Sequence, residues 1–79
     1  MHYVYILEGL ADPNRHYVGV TSDLRARLKA HNAGRVSHTS KFTPWRVKTY
    51  VAFSDEHQAL QFERYLKSAS GRAFAKKRL

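Results

Sequence analysis

Tyr3-Val4-Tyr5-Ile6-Leu7 and His16-Tyr17-Val18-Gly19-Val20 stand close together near the start of the chain. Both are rich in β-branched and aromatic residues, the composition of strands. Strand side chains alternate between faces. Val4, Ile6, Val18 and Val20 therefore form an apolar floor, and Tyr3, Tyr5, Tyr17 and Gly19 point the other way. Gly9 to Arg15, with Asp12-Pro13-Asn14 at its centre, has turn chemistry. Residues 2–8 and 16–20 thus read as the two arms of a hairpin. Taken alone, it is either an aromatic hairpin or a small sheet that presents phenols for chemistry.

Thr21-Ser22-Asp23 follows at once and signals a helix start, with a hydroxyl cap and an acid in the first turn. This helix reads to about Asn32, and Gly34 is a natural stop. Residues 35–45 form a polar, basic loop that ends at Pro44-Trp45. Residues 46–53 alternate and read as a third strand. Ser54 then reads as the cap of a second helix, with Asp55 and Glu56 in its first turn, running to about Ala69. Ser70-Gly71 reads as a break, and Arg72 to Leu79 as a short basic helical tail that turns Ala73 and Phe74 inward. The order ββαβαα predicts an α/β fold of the α+β type, a three-stranded antiparallel sheet flanked by helices, in a single domain spanning residues 1–79.

Seventy-nine residues permit only a small core. With no cysteine, neither disulfides nor thiolate metal sites stabilise it. No apolar run reaches the length of a membrane span. Met1-His2-Tyr3 leads straight into a strand, which predicts a cytoplasmic protein without a secretion signal. Fourteen Lys and Arg against six Asp and Glu give a net charge of +8. In so small a domain that excess points to a polyanionic partner, nucleic acid first.

Five of the six acids have structural explanations. Glu8 and Asp12 sit at the hairpin turn. Asp23, Asp55 and Glu56 sit at helix starts, where the dipole favours negative charge. Glu63 lies in mid-helix, inside the apolar stripe that Ala59, Leu60, Phe62 and Leu66 form at about 100° per residue. A buried carboxylate must be paired, protonated or bound to a metal. A buried salt bridge to an arginine and a metal ligand facing a phosphate both satisfy that demand. On the first helix, Arg27 and His31 share one face at the edge of the side defined by Leu24 and Leu28. Arg25 and Lys29 point elsewhere, toward solvent or phosphate.

At these residues the chain resembles the GIY-YIG endonuclease family, in the form of its small single-domain members. Tyr3-Val4-Tyr5 stands where the first motif belongs and Tyr17-Val18-Gly19 where the second does, with Arg27, His31 and Glu63 following in order. The resemblance covers essentially the whole chain. It implies hydrolysis of phosphodiester bonds with one divalent metal, magnesium or manganese. It implies that Glu63 holds the metal and that Arg27 polarises the scissile phosphate. Tyr5 and Tyr17 would activate or position water, with His31 as their partner. Which of the two is the base stays open, with a slight preference for Tyr5 paired with His31 and for Tyr17 as the holder of water or phosphate; a lowered phenol pKa would suit the base. The first motif's glycine is Tyr3 here, both isoleucines are valine, and no asparagine follows Asn32, although some relatives carry one late in the fold.

Arg35, His38, Lys41, Trp45 and Arg46 combine charge and aromatic surface in one loop region, with Phe42 beside them. This suits phosphate contact and stacking; the alternative, on at least equal terms for Trp45, is that Trp45 and Phe42 pack under the loop as a satellite core. Arg72, Lys76 and Lys77 extend the basic surface along the tail. No dedicated sequence-reading module is present. The expectation is a metal-dependent endonuclease acting on double-stranded or branched DNA with low sequence specificity, as a monomer or homodimer, with targeting left to a protein partner. The rival is a nucleic-acid-binding module with weak or no cleavage.

Overall fold

A computed structural model describes all residues, Met1–Leu79. Its elements are β1 His2–Gly9, β2 His16–Thr21, α1 Leu24–Asn32, β3 Trp45–Phe53, α2 Glu56–Leu66 and α3 Ala69–Arg78, with a 3₁₀ turn at Ser40–Phe42. The ββαβαα order and the three-stranded antiparallel sheet flanked by helices are as the patterning predicts.

The strands lie in the order β2-β1-β3, with β1 in the middle. Tyr5 pairs with Gly19 on one side and with Tyr50 on the other. β1 shifts register against β3 between Ile6 and Leu7. Both faces of the sheet are covered, so Val4, Tyr5, Ile6 and Leu7 are all buried. Val4 and Ile6 pack with Ala59 and Leu66 of α2. Tyr5 and Leu7 pack with Trp45, under Leu24 and Leu28 of α1. The tyrosine face of the hairpin is therefore a second core, sealed by α1.

The helix ends show which side chains define them. Asp23 itself caps α1, its Oδ1 accepting from Ala26 N at 3.0 Å. Asp55, not Ser54, caps α2. In each case a carboxylate outcompetes the upstream hydroxyl because it accepts a stronger, charge-assisted hydrogen bond. α1 closes in a Schellman turn around Gly34 at φ 76°, with Arg35 N donating to Ala30 O and Gly34 N to His31 O, both at 3.1 Å.

The second break differs from the sequence reading. α2 ends at Leu66, and Ser68 caps α3 by accepting from Gly71 N at 3.1 Å. Gly71 thus lies inside α3, not at a break. A Cβ there would overlap the Tyr65 carbonyl, so glycine lets the first turn of α3 seat on the end of α2. The tail turns Gly71, Ala75 and Leu79 inward at four-residue spacing, while Ala73 and Phe74 face out. Leu60 is likewise exposed and leaves the α2 stripe to Ala59, Phe62 and Leu66. No helix is long and apolar enough to cross a membrane.

Candidate active site

The site forms where β1, β2 and α1 meet, with α2 close by. Gly19 makes it possible, because a Cβ at that position would overlap the Tyr5 hydroxyl. The missing side chain lets the Tyr5 ring cross under β2 toward α1. There its hydroxyl lies 2.9 Å from His31 Nε2 and accepts from Arg27 Nε at 3.4 Å. His31 is fully buried, and its Nδ1 lies 2.7 Å from Thr39 Oγ1. Thr39 is also buried, and its hydroxyl donates to Val36 O at 3.4 Å.

Counting donors and acceptors fixes the direction of this chain. Arginine only donates and a carbonyl only accepts. Arg27 therefore donates to the Tyr5 oxygen, and the Tyr5 proton goes to His31 Nε2. His31 Nδ1–H then donates to Thr39, whose own proton goes to Val36. In this direction every proton has an acceptor, in keeping with the lack of any buried unsatisfied side-chain nitrogen or oxygen. His31 is neutral and protonated on Nδ1. Burial, helped by the nearby Arg27 charge, holds its pKa below the usual histidine value.

Burial also pushes the Tyr5 phenol above its usual pKa, outweighing the opposing pull of Arg27. Tyr17 and the Glu63 carboxylate push it the same way. This reverses the lowered phenol expected from sequence and disfavours Tyr5 as a base, since its proton is already committed to His31. Tyr17 is placed differently. It is half-buried on edge strand β2, with its ring centroid 5.0 Å from that of His31 and 6.4 Å from that of Tyr5. The Arg27 guanidinium is held above its ordinary pKa first by the Tyr5 hydrogen bond, with further help from the two phenols. The cation therefore lies against both.

Glu63 faces this group from α2, close enough for its charge to be felt at Tyr5. It is only partly buried, its side chain retaining 20% of its exposure, and Oε2 accepts from Lys67 Nζ at 3.2 Å. Its partner is thus a lysine one turn along, neither an arginine nor a deep ion pair. The apolar stripe is narrower than the sequence suggests, which leaves Glu63 at its wet margin. No cluster of three or more His, Asp or Glu gathers in the chain, so any metal held here has at most two such protein ligands. That suits a hard divalent cation such as magnesium, which keeps several waters and takes one or two carboxylates plus substrate phosphate oxygens.

The candidate DNA-contacting residues divide. Arg25, Lys29, Arg35, His38 and Lys41 are exposed, as are Arg72, Lys76 and Lys77. Trp45 is not a stacking surface: it is 3% exposed, packs with Tyr5 and Leu7, and donates from Nε1 to Thr39 O at 3.0 Å. Arg46 is not a free cation, because its Nε donates to Glu8 Oε1 at 2.9 Å. That contact holds the Glu8 carboxyl below its usual range. Phe42 is half-covered by the Arg15 guanidinium, 3.7 Å above its ring.

Two residues of the site escape sequence reasoning. Thr39 sits in an irregular loop with no periodicity to mark it as buried. Asn32 appears only as a helix end, yet it clamps Trp45, with Nδ2 donating to Trp45 O at 3.0 Å and Oδ1 accepting from Trp45 N at 2.6 Å. The clamp joins the end of α1 to the start of β3 and closes the loop that carries Thr39.

A family model described as the GIY-YIG catalytic domain matches residues 1–78, and the chain belongs to the GIY-YIG family. A UPF0213 protein of Lacticaseibacillus paracasei is 37% identical over 67 residues, covering 84% of this chain and 73% of that protein. A structure-specific endonuclease subunit SLX1 homolog of Giardia intestinalis is 37% identical over 65 residues, covering 77% of this chain but only 18% of that protein. The solution NMR structure of the UPF0213 protein BH0048 from Bacillus halodurans superposes with a TM-score of 0.57 at 33% identity, covering 95% of this chain and 79% of that one. The fold is therefore the GIY-YIG fold, in a family that includes structure-specific endonuclease subunits.

Proposed function

We propose that the protein is an endonuclease that hydrolyses DNA phosphodiester bonds with one divalent cation, magnesium or manganese, and selects DNA by structure more than by sequence. The observation that carries this reading is the placement of Arg27 and Tyr17 against a buried, fully satisfied Tyr5–His31–Thr39 chain on which the Glu63 charge also acts. The kinship with structure-specific endonuclease subunits supports the choice of substrate, and the net charge of +8 supports a polyanion.

In the reaction, Arg27 holds a nonbridging oxygen of the scissile phosphate and stabilises the charge that builds there. Tyr5, fixed by His31 and Thr39, aims the guanidinium and takes no proton itself. Tyr17, the phenol nearer solvent, passes its own proton to solvent and takes one from the attacking water as the water oxygen adds to phosphorus. The bond from phosphorus to the leaving sugar oxygen breaks, and that oxygen is protonated from solvent. Glu63 would hold the divalent cation, whose chemistry is to polarise phosphate oxygens and neutralise charge on the leaving group. The protein works as a monomer or homodimer, and a partner that targets it supplies the specificity the fold lacks.

Incubating the protein with supercoiled plasmid and branched DNA, in magnesium, manganese or EDTA, tests the reading. Cleavage in either metal, absent in EDTA and lost in Glu63→Ala, is the expected result. The second reading, a binding module without cleavage, rests on the Lys67 contact that already occupies Glu63. It predicts salt-sensitive binding with no metal-dependent product.

A further inference from the structure

Beyond the residues that do chemistry, the opposite side of the sheet carries a groove of about 930 Å³. It opens at the hairpin end, where α2 and α3 leave part of the sheet uncovered. Its floor is apolar, made by Ile6, Val18, Leu66 and Ala75. Its rim carries four cations, Lys48, Lys67, Arg72 and Lys76. The one rim acid, Glu8, is already neutralised by Arg46, with His16 beside it. Two residues join the groove to the candidate active site: Tyr17 lines both, and Lys67 lines the groove while holding Glu63.

From this we infer that the groove binds an unpaired DNA strand leading away from the cleavage site, with bases against the apolar floor and phosphates along the lysine and arginine rim. Duplex DNA does not explain the site as well. A duplex presents charged phosphates and sugars outward and keeps its bases stacked, so an apolar floor gains nothing from it. A single strand offers free base faces for apolar contact and a phosphate for each cation in turn. The inference rests on the nuclease reading for the location of the cleavage site, and it narrows the substrate to DNA with a single-stranded arm.

Binding in EDTA separates the two claims, because it needs no cleavage. Fluorescence anisotropy is measured for a blunt duplex and for the same duplex carrying a single-stranded arm. The comparison is between the wild type and a Lys48→Gln, Arg72→Gln, Lys76→Gln variant whose fold is verified by circular dichroism. Lys48→Glu alone serves as a second variant. The wild type is expected to bind the armed duplex more tightly than the blunt one. The triple variant is expected to lose that preference, with a salt slope for the armed duplex shallower by about 2, near 0.7 for each of the three lost phosphate contacts. Lys48→Glu is expected to weaken the armed duplex more than the blunt one. Equal wild-type affinity for the two DNAs overturns the inference, as does a preference and slope unchanged in both variants. A preference abolished by the variants in a protein that never cleaves upholds the groove and removes the nuclease reading instead.

Discussion

Tyr5 and Tyr17 have nearly the same sequence context and opposite physical positions, and that difference sets their roles. Tyr5 is 1% exposed, with a phenol pKa pushed up by burial and its proton given to His31. Tyr17 is half-buried and lies nearer solvent. Tyr17→Phe is therefore expected to lower single-turnover cleavage by about 10²–10⁴-fold, the range for loss of a general base. Its melting temperature should stay close to wild type, since a half-exposed hydroxyl carries little stability. Tyr5→Phe should also lower cleavage, and unlike Tyr17→Phe it should cost about 1–3 kcal/mol of stability in urea unfolding, because it strips His31 and Arg27 of a buried partner. A normal unfolding midpoint for Tyr5→Phe would show that the buried chain is not formed.

Thr39 ends that chain. Thr39→Val keeps the shape but leaves His31 Nδ1–H without an acceptor, and should destabilise by about 1–3 kcal/mol, whereas Thr39→Ser should restore most of the loss. The depressed pKa of His31 has its own signature. Above the ordinary histidine value of 6.5, His31 is neutral in both states and its contacts count in full. As pH falls below that value, the unfolded chain takes the proton first, so stability drops until the lower folded value is passed. Thermal melts should show stability falling from pH 6.5 toward 5 in the wild type, with the slope reduced in His31→Gln. Glu8, with a folded pKa below 4.5, should contribute its own loss only under more acid conditions.

At the scale of elements, the sequence reveals those with a strong period and hides those defined by close approach. The hairpin, α1 and β3 are legible because alternation and turn residues agree. The α2–α3 junction is misread because Ser70-Gly71 has the composition of a loop, while the cap is Ser68 and Gly71 is a packing glycine. Gly71→Ala should therefore destabilise by more than the helix-propensity change, which alone favours alanine by about 1 kcal/mol. Urea denaturation checks it, and a stabilised Gly71→Ala would contradict the close seat of α3 on Tyr65. The positions of the candidate site residues are legible for a similar reason. Arg27, His31 and Glu63 fall on helices, where spacing assigns a face. Thr39 falls in a loop, where nothing does. Glu63 is located by an argument from burial that overstates its depth, since the exposure of Leu60 moves the stripe and leaves the carboxylate at its edge. Arg46 shows the converse error, while Trp45 takes the packed one of its two readings. Charge and aromaticity in a basic loop suggest DNA contact, yet Trp45 fills the core and Arg46 is tied to Glu8.

At the scale of the molecule, the two faces of one small sheet have separate tasks. The α1 face buries a polar chain that aims Arg27. The α2–α3 face supplies Glu63 and a basic groove, and β2, at the sheet edge, carries Tyr17 between them. In the proposed reaction, the Glu63 carboxylate from one side and the Arg27 guanidinium from the other act on one phosphodiester. The most direct test of that arrangement is single-turnover cleavage of branched DNA in magnesium and manganese by wild type and Glu63→Ala. Metal-dependent cleavage by the wild type, falling in Glu63→Ala to the level of the EDTA control with the fold intact, is the predicted result. Cleavage by Glu63→Ala at the wild-type rate would contradict it.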